Sequence, residues 1–286
     1  MPEQQGFPMD WETANEKLRK YCLLSFRNAT LVERYVRDFR LDELIQPLDC
    51  DQAMSVSSDL LRTVNPLEVK PFPPRLDDLA RLHYLILTRR VLNVLEFGSG
   101  YSTVIMASAM TLLRRKFGVW ASSHLRVQEP FMVYSVEEDQ RFAIITRSRL
   151  GTLLDDYAKV FRSSVSIIEL NHRFATVYDW IPNVSPDFIY LDGPSQFAST
   201  ETVHGFSLDV SCRMPMAADI IRIEFFLEPG TMILVDGRTA NARFLRSNFR
   251  QNWSYEHDQI GDVHFFELDE QPLGEFNKRK LELRST

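Results

Sequence analysis

The sequence predicts an α/β protein: a doubly wound, mostly parallel β-sheet preceded by a helical extension. Three observations carry this expectation. Apolar runs of strand length alternate with amphipathic helical stretches through the middle of the chain, the pattern of a sheet covered on both faces. The first of these runs, Val91-Leu-Asn-Val-Leu-Glu-Phe, breaks into Gly98-Ser-Gly-Tyr-Ser-Thr, which reads as a strand, a tight glycine turn and a helix start. The chain has 286 residues, 44% hydrophobic and 25% charged, enough for one large domain with an extension.

The elements follow in order. Residues 11 to 46 carry apolar positions at helical spacing, Leu18, Cys22, Leu23 and Phe26, then Leu31, Val32, Tyr35, Val36 and Phe39, so two amphipathic helices are expected. Val69-Lys-Pro-Phe-Pro-Pro74 is an extended connector, because proline disfavours helix at its own position and at the one before. It separates an N-terminal helical cap, residues 1–70, from the main domain, residues 71–286. Leu76 to Thr88 is a helix with Leu79, Leu82, Leu85 and Ile86 on one face. The expected strands are Val91–Phe97, Met132–Val136, Ser164–Leu170, Phe188–Leu191 and Thr231–Val235. Helices fit between them at Thr103–Lys116, Gln140–Asp156 and Met214–Phe226, the last stopped by Pro229-Gly230. A helix near Ala240–Asn248 leads to Trp253–Gln259 and Asp262–Leu268, a hairpin joined at Ile260-Gly261 that makes the last strand antiparallel.

Composition narrows the function. A net charge of −6 without a Lys/Arg-rich block excludes general attraction to nucleic acid. The N-terminus has no basic segment followed by an apolar core, and no apolar run approaches the roughly 18 residues of a membrane span, so a soluble, cytoplasmic protein without membrane insertion is expected. Cys22, Cys50 and Cys212 are widely spaced and form no CxxC pair, which fits reduced thiols rather than disulfides or zinc.

Ligands of open α/β sheets bind beyond the carboxyl ends of the strands, so the residues there carry the functional reading. They are acids: Glu96, Glu137, Asp192 and Asp236. Thr103 stands where a dinucleotide fingerprint needs its third glycine, which disfavours pyrophosphate. An acid followed by Gly-x-Gly, in Glu96-Phe-Gly-Ser-Gly-Tyr-Ser-Thr, resembles motif I of the class I S-adenosylmethionine-dependent methyltransferases, particularly the branch acting on sugars and small metabolites. Pro186-Asp-Phe-Ile-Tyr-Leu-Asp192-Gly-Pro is similar to the fourth-strand motif of that family. The resemblance covers roughly residues 75 to 270 and implies a Rossmann-like, seven-stranded sheet ending in an antiparallel hairpin.

It also implies roles. Glu96, Gly98, Gly100 and Ser102 would hold the methionine side of S-adenosylmethionine, with Tyr101 packed against the cofactor and Glu137 accepting hydrogen bonds from the ribose. The spacing from the glycine loop to Glu137 is nearly twice the usual ~20 residues, with Phe117 to Phe131 as an inserted loop. Asp192 is the leading candidate for a base at the methyl-transfer site and also borders the cofactor; His204 is the second candidate. Asp192 and Asp236 are the acids that would hold magnesium in related sugar O-methyltransferases, although those relatives carry paired acids where this chain has Asp236-Gly-Arg238. Arg238 suits a substrate carboxylate or phosphate, or neutralises the local acids. Asn171 or His172 is the expected adenine contact.

The expected activity is therefore O-methylation of a sugar, glycan precursor or other polar small molecule. The N-terminal helices would serve as a lid or as a homo-oligomer contact. Two other readings stand beside it: a non-catalytic protein that keeps the fold for binding or assembly, and a nicotinamide-dependent oxidoreductase, disfavoured by Thr103 and by the lack of a Tyr-x-x-x-Lys pair.

Overall fold

A computed structural model of the chain describes residues 9–46, 73–210 and 212–285. Cys50 and most of the proline-rich connector lie outside these residues; Cys22 and Cys212 are unpaired and exposed. Helices α1 (Trp11–Leu18), α2 (Ala29–Asp38) and α3 (Leu76–Thr88) precede the sheet. Then come β1 (Asn93–Phe97), α4 (Tyr101–His124), β2 (Met132–Glu137), α5 (Gln140–Leu154) and β3 (Ala158–Arg162). A hairpin, β4 (Val165–Leu170) with β5 (Arg173–Tyr178), leads to β6 (Phe188–Leu191) and a minimal hairpin, β7 (Thr202–Val203) with β8 (Phe206–Ser207). The chain closes through α6 (Asp219–Ile223), β9 (Met232–Asp236), α7 (Thr239–Asn248), β10 (Trp253–Asp258), β11 (Val263–Leu268) and α8 (Gly274–Ser285).

Seven strands form the main sheet in the order β10-β11-β9-β6-β1-β2-β3. The five from β9 to β3 are parallel, and β11 runs antiparallel to both β9 and β10. The chain winds outward from β1 to β3 and resumes on the other side with β6 and β9, so the topological switch point lies between β1 and β6. Strand alternation separates two cores. Val94, Val133, Phe188 and Leu234 pack with residues of α1 to α5, whereas Leu95, Ile189 and Ile233 pack with residues of α6 and α7. The N-terminal helices share the first core: Trp11, Leu18 and Tyr35 are buried, and Tyr35 Oη lies 2.8 Å from His83 Nδ1 on α3. No described helix is long and apolar enough to cross a membrane.

Several expectations need correction. The third strand of the main sheet is Ala158–Arg162, whereas Ser164–Leu170 corresponds to β4, which pairs only with β5. The stronger apolar run took the local hairpin partner; the edge position went to a short strand carrying Lys159 and Arg162, charges that protect an edge. The excess before β2 is largely helix, since α4 continues to His124. Met214–Phe226 contains only α6 and a 3₁₀ turn, Glu224–Phe226. Residues 216 to 218 are instead held extended against β5: Thr176 N donates to Met216 O at 2.9 Å and Ala218 N to Thr176 O at 2.8 Å. Helix α8, not anticipated from sequence, caps the amino ends of the strands.

The seal there is Asp187, which is buried. Its carboxylate accepts from Leu92 N at 3.0 Å and Asn93 N at 2.7 Å, and pairs with Arg284 of α8 at 3.1 Å. Asp187→Ala would strand two buried amides and a largely buried guanidinium, and is expected to lower unfolding free energy by about 3 kcal/mol. Urea denaturation should show this loss, with Asp187→Asn, which keeps one acceptor oxygen, falling in between.

Candidate active site

The carboxyl edge of the parallel strands is organised by Glu96. Registers place it opposite Ser135 on one side and Tyr190 on the other. Its side chain is fully enclosed and accepts hydrogen bonds from Ser102 Oγ at 2.5 Å, Thr103 Oγ1 at 2.6 Å and Ser135 Oγ. Expected to face a ligand, Glu96 instead presents no surface. It ties the first turn of α4 to β1 and β2 and thereby shapes the loop between them.

That loop is pressed down at one glycine and open at the other. Gly98 has φ +99°, and its N–H donates to Val136 O at 2.8 Å. The turn after β6 lies directly against it: a Cβ on Gly193 would stand 2.6 Å from both Gly98 N and Tyr178 Oη. A Cβ on Gly100, by contrast, would meet no atom within 4 Å. The closed contact sits at the switch point, and the open space beside Gly100 can admit a ligand against backbone.

Glu137 ends β2 beside this loop. It is buried and accepts from Ser99 Oγ at 2.8 Å and Asp139 N at 3.0 Å. Burial, and next the neighbouring Glu138 charge, push its carboxyl well above the usual range. Glu138 is held in turn by Tyr178 Oη at 2.9 Å and Ser195 N at 2.7 Å, so it braces the turn after β6.

The second half of the edge is a recess of acids. Asp192, just past β6, has an exposed surface. Desolvation by the surrounding protein raises its carboxyl pKa; Arg238 opposes the rise, while Asp78 and Glu138 reinforce it. Asp236, ending β9, accepts from Tyr190 Oη at 2.8 Å and is raised to about 6, first by burial and then by Asp192. Asp192 and Asp236 end adjacent parallel strands, β6 and β9, and the Asp192 charge is one of those that raise Asp236. Arg238 donates to Pro194 O at 2.7 Å, and its Nη1 is buried without a hydrogen-bond partner among the described residues.

Sequence reading missed Asp78. It lies on α3, outside any strand-end motif, yet its carboxyl is raised to about 6 by burial and then by Asp236. Arg81, at 2.9 Å, and Arg75, at 3.0 Å, hold it. The one available signal was the unusual pairing of two acids with two arginines in the first turns of a helix that leads into the glycine-loop strand.

Other candidates lie apart. His204 and Gly205 form the positive-φ tip of the β7–β8 hairpin, and the His204 ring has Phe174 as its neighbour at 6.4 Å. Asn171 and His172 are the turn of the β4–β5 hairpin, not the end of a parallel strand, and His172 is paired with Glu169 at 3.3 Å. Tyr101 is half-buried, with the Arg149 guanidinium 3.8 Å from its ring centre. Among the described residues, the group of three potential ligands close enough for one metal ion is His257, Asp262 and His264; Asp192 and Asp236 belong to no such group.

No family model matches the chain, and no curated protein matches it. Solved structures do. An O-methyltransferase from Bacillus cereus in complex with SAH is 16% identical with a TM-score of 0.38, matching 84% of this chain and 100% of its own. SAH-bound methyltransferase PaMTH1 from Podospora anserina is 14% identical with a TM-score of 0.40, over 79% and 99%. The O-methyltransferase TomG from Streptomyces achromogenes, in complex with SAM, is 12% identical with a TM-score of 0.38, over 79% and 92%. At such low scores the functional weight falls on the site's own geometry.

Glu96 makes a test of that geometry. Burial raises its carboxyl to about 7 even though three hydroxyls donate to it. In the unfolded chain it ionises near ~4.3, so between these values the native state holds a proton the unfolded state has lost. Wild-type stability from this group is full below the lower value and fades as pH rises through the upper one. Glu96→Gln cannot titrate, so its stability deficit relative to wild type should shrink by about 2 kcal/mol between pH 5 and pH 8 in urea unfolding.

Proposed function

We propose that the chain is an S-adenosylmethionine-dependent O-methyltransferase, acting in the cytoplasm on a sugar, glycan precursor or other polar small molecule. The observation that carries this reading is the single carboxyl edge on which Glu137, the Gly98–Gly100 loop, Asp192 and Asp236 stand side by side at adjacent parallel strands. S-adenosylmethionine, when bound, supplies a methyl carbon made electrophilic by its sulfonium. The open side of Gly100 and the amides of the turn would seat it, with Glu137 and Ser99 facing the ribose diol. Glu96 acts by positioning this loop.

The acceptor would lie in the Asp78–Asp192–Asp236 recess. Several carboxylates and the Tyr190 hydroxyl suit a polyhydroxylated molecule, and Arg238 has donor capacity left for an anionic oxygen. Asp192, its carboxyl raised above the usual range by desolvation, would take the proton from the acceptor hydroxyl as it attacks. Asp236 and Tyr190 fix the orientation of the attack. The same two acids offer hard oxygen donors for magnesium, which would chelate vicinal hydroxyls of the acceptor.

Calorimetry tests the cofactor assignment. Wild type should bind S-adenosylmethionine and its demethylated product at micromolar concentrations and not NAD, and Glu137→Ala should weaken both at least tenfold. A folded wild type that binds neither would favour a non-catalytic binding or assembly role.

The recess predicts a pH profile. With an acceptor that the protein methylates in hand, kcat/KM should rise with pH through about 6, where Asp236 ionises, and then level off. Asp236→Asn should lower kcat at least 100-fold with cofactor affinity retained, and activity that survives EDTA would assign the acids to proton transfer rather than magnesium.

A further inference from the structure

We propose that His257, Asp262 and His264 form a binding site for a divalent transition-metal ion on the C-terminal hairpin, separate from the acids of the recess. The register of β10 and β11 sets His257 directly across from His264, and their rings stack with centroids 3.9 Å apart. Asp262 comes from the turn between the strands. One ligand atom from each residue lies within 4.8 Å of the other two. Metal–nitrogen bonds of about 2.0–2.1 Å need this triangle to contract and the His257 ring to turn out of the stack.

The surroundings are those of a ligating pair. His257 Nε2 is buried and has no hydrogen-bond partner among the described residues, an arrangement that costs stability unless something binds it. His264 is wholly enclosed, with Tyr255 Oη 3.0 Å from Nδ1 and Thr239 Oγ1 3.0 Å from Nε2. In the tautomer that donates Nδ1–H to Tyr255, the Nε2 lone pair is available once the Thr239 hydroxyl rotates away. Tyr255 then does what the outer partner of a metal-bound histidine does, fixing the tautomer and the ring plane. Two imidazoles and one carboxylate suit zinc, cobalt or nickel, whereas magnesium and calcium favour all-oxygen sites.

The site touches the loop that carries Arg238. Gly237 N donates to Asp262 O at 2.8 Å, and Thr239 is the first residue of α7. An ion there would tie both strands of the hairpin to its turn.

Titration of the full chain with Co²⁺, followed by visible absorption, tests the proposal without any cofactor or acceptor. The expected result is saturable one-to-one binding at micromolar concentration, with d–d bands, no thiolate charge-transfer band, and displacement by Zn²⁺. His257→Ala and Asp262→Asn should each weaken binding at least tenfold, while His172→Ala, at a side chain 99% exposed, should leave it unchanged. Asn tolerates the positive φ of position 262, so that variant keeps the test valid should His257→Ala fold poorly. No saturation by folded wild type below millimolar Co²⁺, a thiolate band, or wild-type affinity in both variants would overturn the site.

Discussion

The carboxyl edge of this protein depends on one buried carboxylate. Glu96, on β1, gathers three hydroxyls from β2 and the start of α4, and so ties the first turn of α4 to the middle of the sheet. Its position fixes where the glycine turn can run. That turn in turn sets the hydrogen bond from Ser99 to Glu137 and the close backbone contact between Gly98 and Gly193. A charge this deep is expensive unless satisfied, and the hydroxyls reduce that cost without abolishing it, which is why the group sits near neutrality in its protonation.

The acids of this fold differ in their partners. Asp187 and Glu224 are saturated by backbone amides: Asp187 at Leu92 and Asn93, Glu224 at Arg250 and Gln251, with Trp253 Nε1 added at 3.0 Å. Such acids staple chain segments together and have little capacity left for a ligand. Asp78, Asp192 and Asp236 differ. Their neighbours include one another, so each raises the next, and their donors are side chains that can be redirected. Mutual repulsion among acids is relieved where a ligand, a proton or a cation can bind, and this contrast in partners is what the proposed acceptor site draws on.

Much of the architecture was legible because it rests on local patterns. The glycine turn, the strand Phe188–Leu191, the helix Leu76–Thr88 and the terminal hairpin all follow from periodicity and turn chemistry, and those patterns survive in the fold with shifts of a few residues at most ends. Ser164–Leu170 misled because an apolar run announces a strand without announcing its partner. Met214–Phe226 misled because helical spacing cannot register the long-range bridge from Thr176 that holds residues 216 to 218 extended.

For the site, the sequence by itself determined which strands end in acids, since strand termini and glycine turns are written in neighbouring residues. Only the tertiary structure decided what those acids do. Glu96 turns inward because Ser102, Thr103 and Ser135 converge on it, and Asp78 comes within electrostatic reach of Asp236 because α3 and β9 share one core. His257 and His264 become a pair because two strands align in one register. Contacts of this kind join residues distant in the chain, and local sequence carries no record of them.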